Sequence, residues 1–446
     1  MNSSIKSVRQ LSVEILAKTK HNGSFVDELL ADVLAEKELS QRDKALLLEL
    51  VNGTVRWQGQ LDWILEQLFH KKFKDVSSKL KSILEVSLYQ IRFSDKIPQY
   101  AAVSEGVKLA KKMGGTAWGS LVNGILRNYL RQKKAIKFPA RVEDPVTALA
   151  VLYSHPRWML ERWLQRYGME ETERLCQKNN ARPEVCLRVN TNKIEVDVLI
   201  PELKKHGIKI TPSKHFPDFL KASNVTDLSR NPLFNKGCFT VQDESTALPS
   251  LLLAPKKGER ILDMCAAPGG KSCHLAQLMS DTGRIVAIDR RFQRIKSLQA
   301  NLKRLQIRCV TPLVADGSTI ALAPFDKILL DAPCSGLGVL SKRVDLRWKQ
   351  TLNDIFDLTI LQKRLLNNAS KHLRRGGELV YGTCTIEPEE NEELIAEFLD
   401  ENKNFRIVQE NHISLNNFYS VQGYLSTFPH KHDMDGTFAV KLKKVF

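Results

Sequence analysis

The sequence predicts a multidomain chain: an all-α N-terminal module, a small α+β connector and a C-terminal α/β domain of the Rossmann-like, doubly wound kind. Three observations carry this expectation. Apolar residues recur at three and four spacing through the first 140 residues, strand and turn signals mix between 145 and 240, and from 241 to 446 short apolar runs alternate with helical stretches. A length of 446 residues agrees, because one hydrophobic core seldom organises so long a chain.

In the first module, residues 1–140, the helical spacing runs through Val8 to Leu16, Leu46 to Val55, Leu61 to Leu68, Leu80 to Ile91 and Ala101 to Ala110. Basic residues gather in its later part. Lys71, Lys72, Lys74, Lys79 and Lys81 form one stretch, and Arg127, Arg131, Lys133, Lys134 and Lys137 another. Each is either a solvated helix face or an RNA footprint. In the connector, residues 145–240, Val185 to Asn190 reads as a strand and Pro212 to Asn235 is rich in turn residues. In the last domain strands are expected at 260–264, 285–289, 310–315, 327–331 and 378–382, with helices near 271–280, 291–304 and 353–373.

Composition narrows the class. Hydrophobic residues make up 43% and charged residues 26% of the chain, which describes an ordinary globular protein. No apolar run reaches the length of a membrane span, and the first residues lack the apolar core of a signal peptide, so a cytoplasmic location and no membrane partner are expected. The eight cysteines are scattered without Cys-x-x-Cys pairs, which argues against a disulfide framework and against a zinc site; no metal is expected. Lys and Arg number 67 against 50 Asp and Glu, a net charge of +17, and that excess favours a polyanionic partner such as nucleic acid. A monomer is the default expectation.

The segment Asp263-Met264-Cys265-Ala266-Ala267-Pro268-Gly269-Gly270-Lys271 follows the first strand of the last domain and opens a helix. Open α/β sheets bind their ligands there, outside the carboxyl ends of the strands. Small residues let the backbone approach a ligand, and the helix start offers amide donors suited to a carboxylate. The pattern is neither Gly-x-Gly-x-x-Gly nor a phosphate loop, so a dinucleotide or a triphosphate is not expected. Asp289 ends the second strand, where a carboxylate grips ribose hydroxyls, and Asp316 closes the third. One acidic strand end is more often a turn or a cap. Several around one glycine loop fit S-adenosylmethionine, with the loop near the methionine moiety, Asp289 near the ribose and Asp316 near the adenine.

Two cysteines end apolar runs in the same way: Cys334 in Asp331-Ala332-Pro333-Cys334 and Cys384 in Thr383-Cys384-Thr385. On residue type alone both would be inert core thiols. Beside the glycine loop, they become two thiols facing one cleft.

On these residues the chain resembles the RNA (cytosine-5)-methyltransferases of the nucleolar-protein/Sun group, over roughly residues 145 to 446. The resemblance rests on the run Asp263 to Lys271, on Asp331-Ala-Pro-Cys334, on Thr383-Cys384 and on Pro388-Glu389-Glu390-Asn391, in that order. The N-terminal module is similar to the RNA-binding NusB family at Ile97-Pro98, at Ala101 to Ala110 and at Val122-Asn123-Gly124-Ile125-Leu126-Arg127. Together they imply a bacterial enzyme of small-subunit (16S) ribosomal RNA. The family ends in an Asp-Gly-Phe-Phe run, whereas this chain has Asp435-Gly436-Thr437-Phe438, in a C-terminal strand expected at a sheet edge.

The resemblance also implies roles. Carbon 5 of cytosine is too weak a nucleophile to take a methyl group unaided, so a thiolate must first add at carbon 6. The family pattern gives that attack to Cys384 and gives Cys334 a part in releasing the carbon 5 proton. Asp331 is the candidate for stabilising the ring. A Pro-Cys pair supplies the nucleophile in the DNA enzymes, so the chemistry alone leaves the two thiols exchangeable. Cys265, Ala266, Ala267, Pro268, Gly269, Gly270, Lys271, Asp289, Asp316 and Asp331 are the expected cofactor residues, with Lys271 holding the cofactor or orienting a cysteine. Arg188 and Asn190 resemble a family segment near the RNA, Arg294 and Lys296 are read as solvated, and Pro388 to Asn391 is read as capping the next helix, with Asn391 ordering the cysteine loop. The rival readings are a transfer RNA cytosine-5 methyltransferase and a catalytically silent RNA-binding or assembly factor.

Overall fold

A computed structural model describes residues 6–69, 73–225 and 227–446; Lys71 and Lys72 of the first basic stretch lie outside the described residues. The chain divides into two compact units, Met1–Ala181 with Leu340–Lys349, and Arg182–Val339 with Gln350–Phe446. The sequence boundary near 140 falls inside the first of them.

That first unit is built from helices, among them Val8–Asn22, Gln41–Arg56, Gln58–Leu68, Ser78–Phe93, Gln99–Gln132, Pro145–Leu152 and Arg157–Asn180. Serines start two of them, Ser7 accepting from the Gln10 amide and Ser40 from the Asp43 amide. The helix Ser78–Phe93 is the hub. Its residues from Ser82 to Ile91 are all buried, which is what a helix enclosed on every side requires. Gly115, at φ +81°, breaks the helix Gln99–Gln132 into two. Leu340–Lys349 belongs to this unit although its chain neighbours do not. Val344 and Trp348 pack on the apolar core, and the Arg347 guanidinium is buried among carbonyls, donating to Arg56 O at 3.2 Å, Ser154 O at 3.2 Å, Asn179 O at 3.1 Å and Asn180 Oδ1 at 2.7 Å.

The second unit carries two sheets. The smaller is antiparallel, with strands β1 (Val185–Val189), β2 (Lys209–Pro212), β3 (Phe219–Ser223) and β4 (Phe239–Val241) in the order β2-β3-β1-β4. The larger contains β5 (Arg260–Met264), β6 (Arg284–Asp289), β7 (Val310–Val314), β8 (Phe325–Asp331), β9 (Leu373–Thr383), β10 (Phe405–Ile407), β11 (Leu425–Thr427) and β12 (Thr437–Lys444). Its order is β10-β12-β9-β8-β5-β6-β7, with β11 pairing β12. From β9 to β7 the pairing is parallel, and β12 runs antiparallel to β9. These are the doubly wound strands the alternation predicts. Ile261, Leu262, Ile285, Ile288, Ile328, Leu329, Leu379 and Val380 are fully buried, as strands covered on both faces must be.

One expectation fails here. The strand after Gly436 is not an edge: β12 sits between β9 and β10, with Phe438 and Val440 buried. Apolar and basic residues alternate along it as on a strand with one wet face, but Lys441 is itself buried and paired, with Glu378 at 3.0 Å and Glu410 at 2.6 Å.

Candidate active site

Parallel strands bring their carboxyl ends to one side of a sheet, and the order β7-β6-β5-β8-β9 sets the predicted residues side by side. Asp316 follows β7, Asp289 ends β6, the glycine loop follows β5, Asp331 ends β8 with Cys334 just beyond it, and Cys384 follows β9. The connections on the two sides of the β5–β8 pair lead in opposite directions along the sheet, which opens a crevice there.

The glycine loop turns sharply. Cys265 has φ +63° and Gly269 φ +101°, and a Cβ on Gly269 would lie 2.3 Å from Leu298 Cδ1, so glycine is required. The helix Gly270–Leu278 then points its amide end into the crevice. Arg294, read as solvated, is instead tied to this loop, bonding Ala267 O and pairing with Asp289 at 3.2 Å. The buried Asp289 carboxylate also accepts from the Arg291 amide at 2.9 Å. Asp316 is exposed, and the Ser318 hydroxyl and amide hold its carboxyl below the usual range.

Asp263, at the floor of the loop, is fully buried. Burial pushes its carboxyl up to about 7, against the hydrogen bond from the Ser272 hydroxyl at 2.5 Å. Its Oδ1 has no partner. A buried orphan oxygen, a carboxylate at the next strand end and free helix amides suit a ligand that carries an ammonium, ribose hydroxyls and a carboxylate, which are the groups of S-adenosylmethionine. The Cys265 thiol is pushed up to about 12 by burial and by the Asp331, Asp289 and Asp263 carboxylates. It lines the loop as a protonated thiol.

Lys271 donates to Asp331 Oδ2 at 2.7 Å. Burial works to lower its pKa, but the charge and hydrogen bond of Asp331 leave it above the usual value. The two sulfurs of the cleft lie 3.3 Å apart, and the Cys384 amide also points at Cys334 Sγ at 3.3 Å. The Cys334 thiol is pushed well up by the Cys384 sulfur, then by burial and by Glu390. Cys334 holds its proton, and the Lys271 ammonium, bonded to Asp331, stands within electrostatic reach of the Cys384 sulfur.

Three backbone segments converge behind them. The Gly338 amide donates to Cys384 O at 3.0 Å, and the Gly436 amide donates to Gly338 O at 2.8 Å. Residues that the sequence reading underrated lie deeper. Glu390, fully buried, accepts from the Ser335 amide at 2.8 Å, from the Ser335 hydroxyl and from Gln362 Nε2 at 3.0 Å, while Gln362 Nε2 also reaches Pro333 O at 2.8 Å. The segment Pro388 to Asn391 is read as capping the helix Glu392–Glu401, yet the Asn391 side chain makes no capping bond and instead orders the cysteine loop, the part the sequence reading gives it. It accepts from Thr383 Oγ1 at 2.6 Å and donates to Thr385 O at 3.1 Å. The loop contacts win because the cysteine turn has carbonyl and hydroxyl groups to satisfy in a buried place.

Arg188 and Asn190 are not brought to the crevice. Both are buried, Arg188 donating to Gln242 Oε1 at 2.8 Å and to Gln277, and Asn190 donating to Gly237 O at 3.0 Å. They line a cavity of about 570 Å³ with Lys193, Gln277 and Arg308, at the far end of the helix Gly270–Leu278, roughly 12 Å along its axis from the glycine loop. Of the second basic stretch, Arg127, Arg131, Lys133, Lys134 and Lys137 are exposed. Among the described residues no group of His, Cys, Asp and Glu could hold a metal ion, and no helix is long and apolar enough to cross a membrane.

A doubly wound sheet whose strand ends carry a small-residue loop, acidic neighbours and the fit just described defines an S-adenosylmethionine-dependent methyltransferase. Family comparisons make this specific. Residues 250–443 match the 16S rRNA methyltransferase RsmB/F model, residues 155–228 the ferredoxin-like domain of RsmF/B-like methyltransferases, and residues 6–131 the NusB family. The probable ribosomal RNA small subunit methyltransferase B of Bacillus subtilis (strain 168) is 34% identical over 98% of this chain and 99% of its own length. The corresponding Synechocystis protein is 36% identical over 98% of this chain and 99% of its own. Among solved structures, PH0851 matches with a TM-score of 0.81 and 28% identity over 99% of both chains. NSun6 from Pyrococcus horikoshii, solved with SFG, matches with a TM-score of 0.59 and 27% identity over 66% of this chain and 100% of its own. The chain belongs to the RsmB/F family of 16S ribosomal RNA methyltransferases, and it carries a NusB domain at its N-terminus.

Proposed function

We propose that this enzyme methylates carbon 5 of a cytosine in small-subunit ribosomal RNA through a covalent bond between Cys384 and carbon 6. The observation that carries the reading is the pair of thiols 3.3 Å apart at neighbouring strand ends, with the Lys271–Asp331 ion pair beside them. The sulfur of Cys384, attended by the Lys271 ammonium, adds to carbon 6. The electron pair of the 5,6 double bond moves into the ring, and Asp331, fixed by Lys271, carries the proton given up by the Cys384 thiol to the ring nitrogen. S-adenosylmethionine, when bound, supplies the methyl group. The carbon 5 proton then passes to Cys334 as that thiol hands its own proton to water, the electron pair left behind re-forms the 5,6 double bond, and the sulfur–carbon bond breaks with its electrons on sulfur, which regains its proton from the ring nitrogen through Asp331.

For the cofactor, Asp263 and the amides that open the helix Gly270–Leu278 would take the amino-acid end, Asp289 the ribose and Asp316 the adenine side. The cavity holding Arg188 and Asn190, with Lys193 and Arg308 in its wall, would supply an RNA phosphate contact outside the crevice.

Single replacements test the division of labour. Incubated with small-subunit RNA and cofactor, Cys384→Ala should give neither product nor adduct, whereas Cys334→Ala should hold RNA in a bond that survives denaturing electrophoresis. The opposite pattern would hand the attack to Cys334, and absence of an adduct in both would end the covalent reading. Nucleoside analysis of the RNA product should yield 5-methylcytosine.

A further inference from the structure

The side chains around the thiols form two sets that meet at Thr385. Gln362 holds Pro333 O and Glu390 holds the Ser335 amide, so the residues on both sides of Cys334 are fixed by a Gln362–Glu390 pair. Asn391 holds Thr383 Oγ1 and Thr385 O, so the residues on both sides of Cys384 are fixed by one amide. Glu390 and Asn391 are consecutive, and both are buried. The Thr385 hydroxyl lies 2.8 Å from that of Ser335 and also bonds the Glu390 carboxylate.

We infer that Glu390 and Asn391 are positioning residues with different charges, Glu390 with Gln362 setting the thiol that releases the product and Asn391 setting the thiol that attacks. The inference rests on the covalent reading above. It explains why a buried carboxylate stands next to a buried amide. The Cys334 side offers only donors to that position, the Ser335 amide and hydroxyl and the Gln362 amide, and three donors call for an acceptor with no proton of its own. The Cys384 side offers a hydroxyl donor and a carbonyl acceptor, and a side-chain amide answers both where a carboxylate cannot.

The two positions should fail differently. Misplacing a reacting group by about 1 Å costs on the order of 100-fold in rate. Glu390→Gln puts an N–H where an acceptor is needed, so turnover on transcribed small-subunit RNA should fall roughly 10- to 100-fold while the denaturation-resistant RNA adduct accumulates, as it does in Cys334→Ala. Asn391→Ala should lose turnover by a similar factor with no adduct above the wild-type level, and Asn391→Asp, which keeps the acceptor for Thr383, should recover part of it. Both variants should bind S-adenosylmethionine as the parent does. Gln362→Leu, which frees Pro333 from a helix outside both loops, should repeat the Glu390→Gln behaviour and serves if that variant does not fold. Equal adduct levels in the Glu390, Gln362 and Asn391 variants, or wild-type turnover in any, would overturn the assignment. If Cys334→Ala traps RNA and neither Glu390→Gln nor Gln362→Leu does, the positioning roles fail alone. If Cys334→Ala traps none, the covalent reading fails and takes them with it.

Discussion

An aspartate with one oxygen unpaired and no access to water is a poor place for a negative charge, and Asp263 is such a residue. Its carboxyl titrates near 7 in the folded protein, against about 3.9 in an unfolded chain. Between those values the folded state keeps a proton that the unfolded state has lost, so this group's contribution to stability is complete below about pH 4 and is lost as pH rises through 7. A cofactor ammonium on Oδ1 requires the charged form. Affinity for S-adenosylmethionine should therefore tighten up to about eightfold from pH 6 to 7.5, following the ionised fraction of a group at 7. Calorimetric titration across that range checks it, and Asp263→Asn should flatten the profile. Cys265 to Lys271, Asp289, Asp331 and the two cysteines can be found in the sequence because each follows an apolar run, and strand ends gather by rule. Glu390 could not be found this way. In Pro388-Glu389-Glu390-Asn391 a buried acid looks like its exposed neighbours, and its donors come from residues 335 and 362, which only the folded sheet brings near.

Loops, not strands, complete the cleft at the level of elements. The segment after β8, the turn after β9 and the start of β12 meet at Gly338, where a Cβ would stand 2.4 Å from Gly436 O and 2.8 Å from Cys384 O. Both are backbone atoms, and neither can yield without moving a strand end. Gly338→Ala should accordingly lower turnover on the order of 100-fold by displacing Cys384. Cofactor affinity should stay near the parent value, because the β5 loop takes no part in that contact; parallel turnover and binding measurements distinguish this from general unfolding. The strand ranges were legible because buried parallel strands are short apolar runs. The place of β12 was not, since Lys441 and Lys443 give it the pattern of a solvated edge while the partners of Lys441 come from Glu378 on β9 and from Glu410.

The whole molecule depends on ten residues that leave one unit for the other. In Leu340–Lys349, Arg347 is the side chain on which four carbonyl or amide oxygens of the helical unit converge. Burial brings that guanidinium down to about 9, so it remains charged at neutral pH. Arg347→Ala should destabilise the protein by about 3 kcal/mol, because it strands buried acceptors. A lower denaturant midpoint of the helical unit's transition would register it. The same ten residues also order events in time. Proteins emerge from the ribosome amino end first, and domains generally fold in that order. Here the helical unit has no Val344, Arg347 or Trp348 until residue 349 of 446 has been made, after β5 to β8 have already appeared. The N-terminal unit comes out first and is finished late, and the nascent chain must carry an incomplete helical unit through most of its own synthesis.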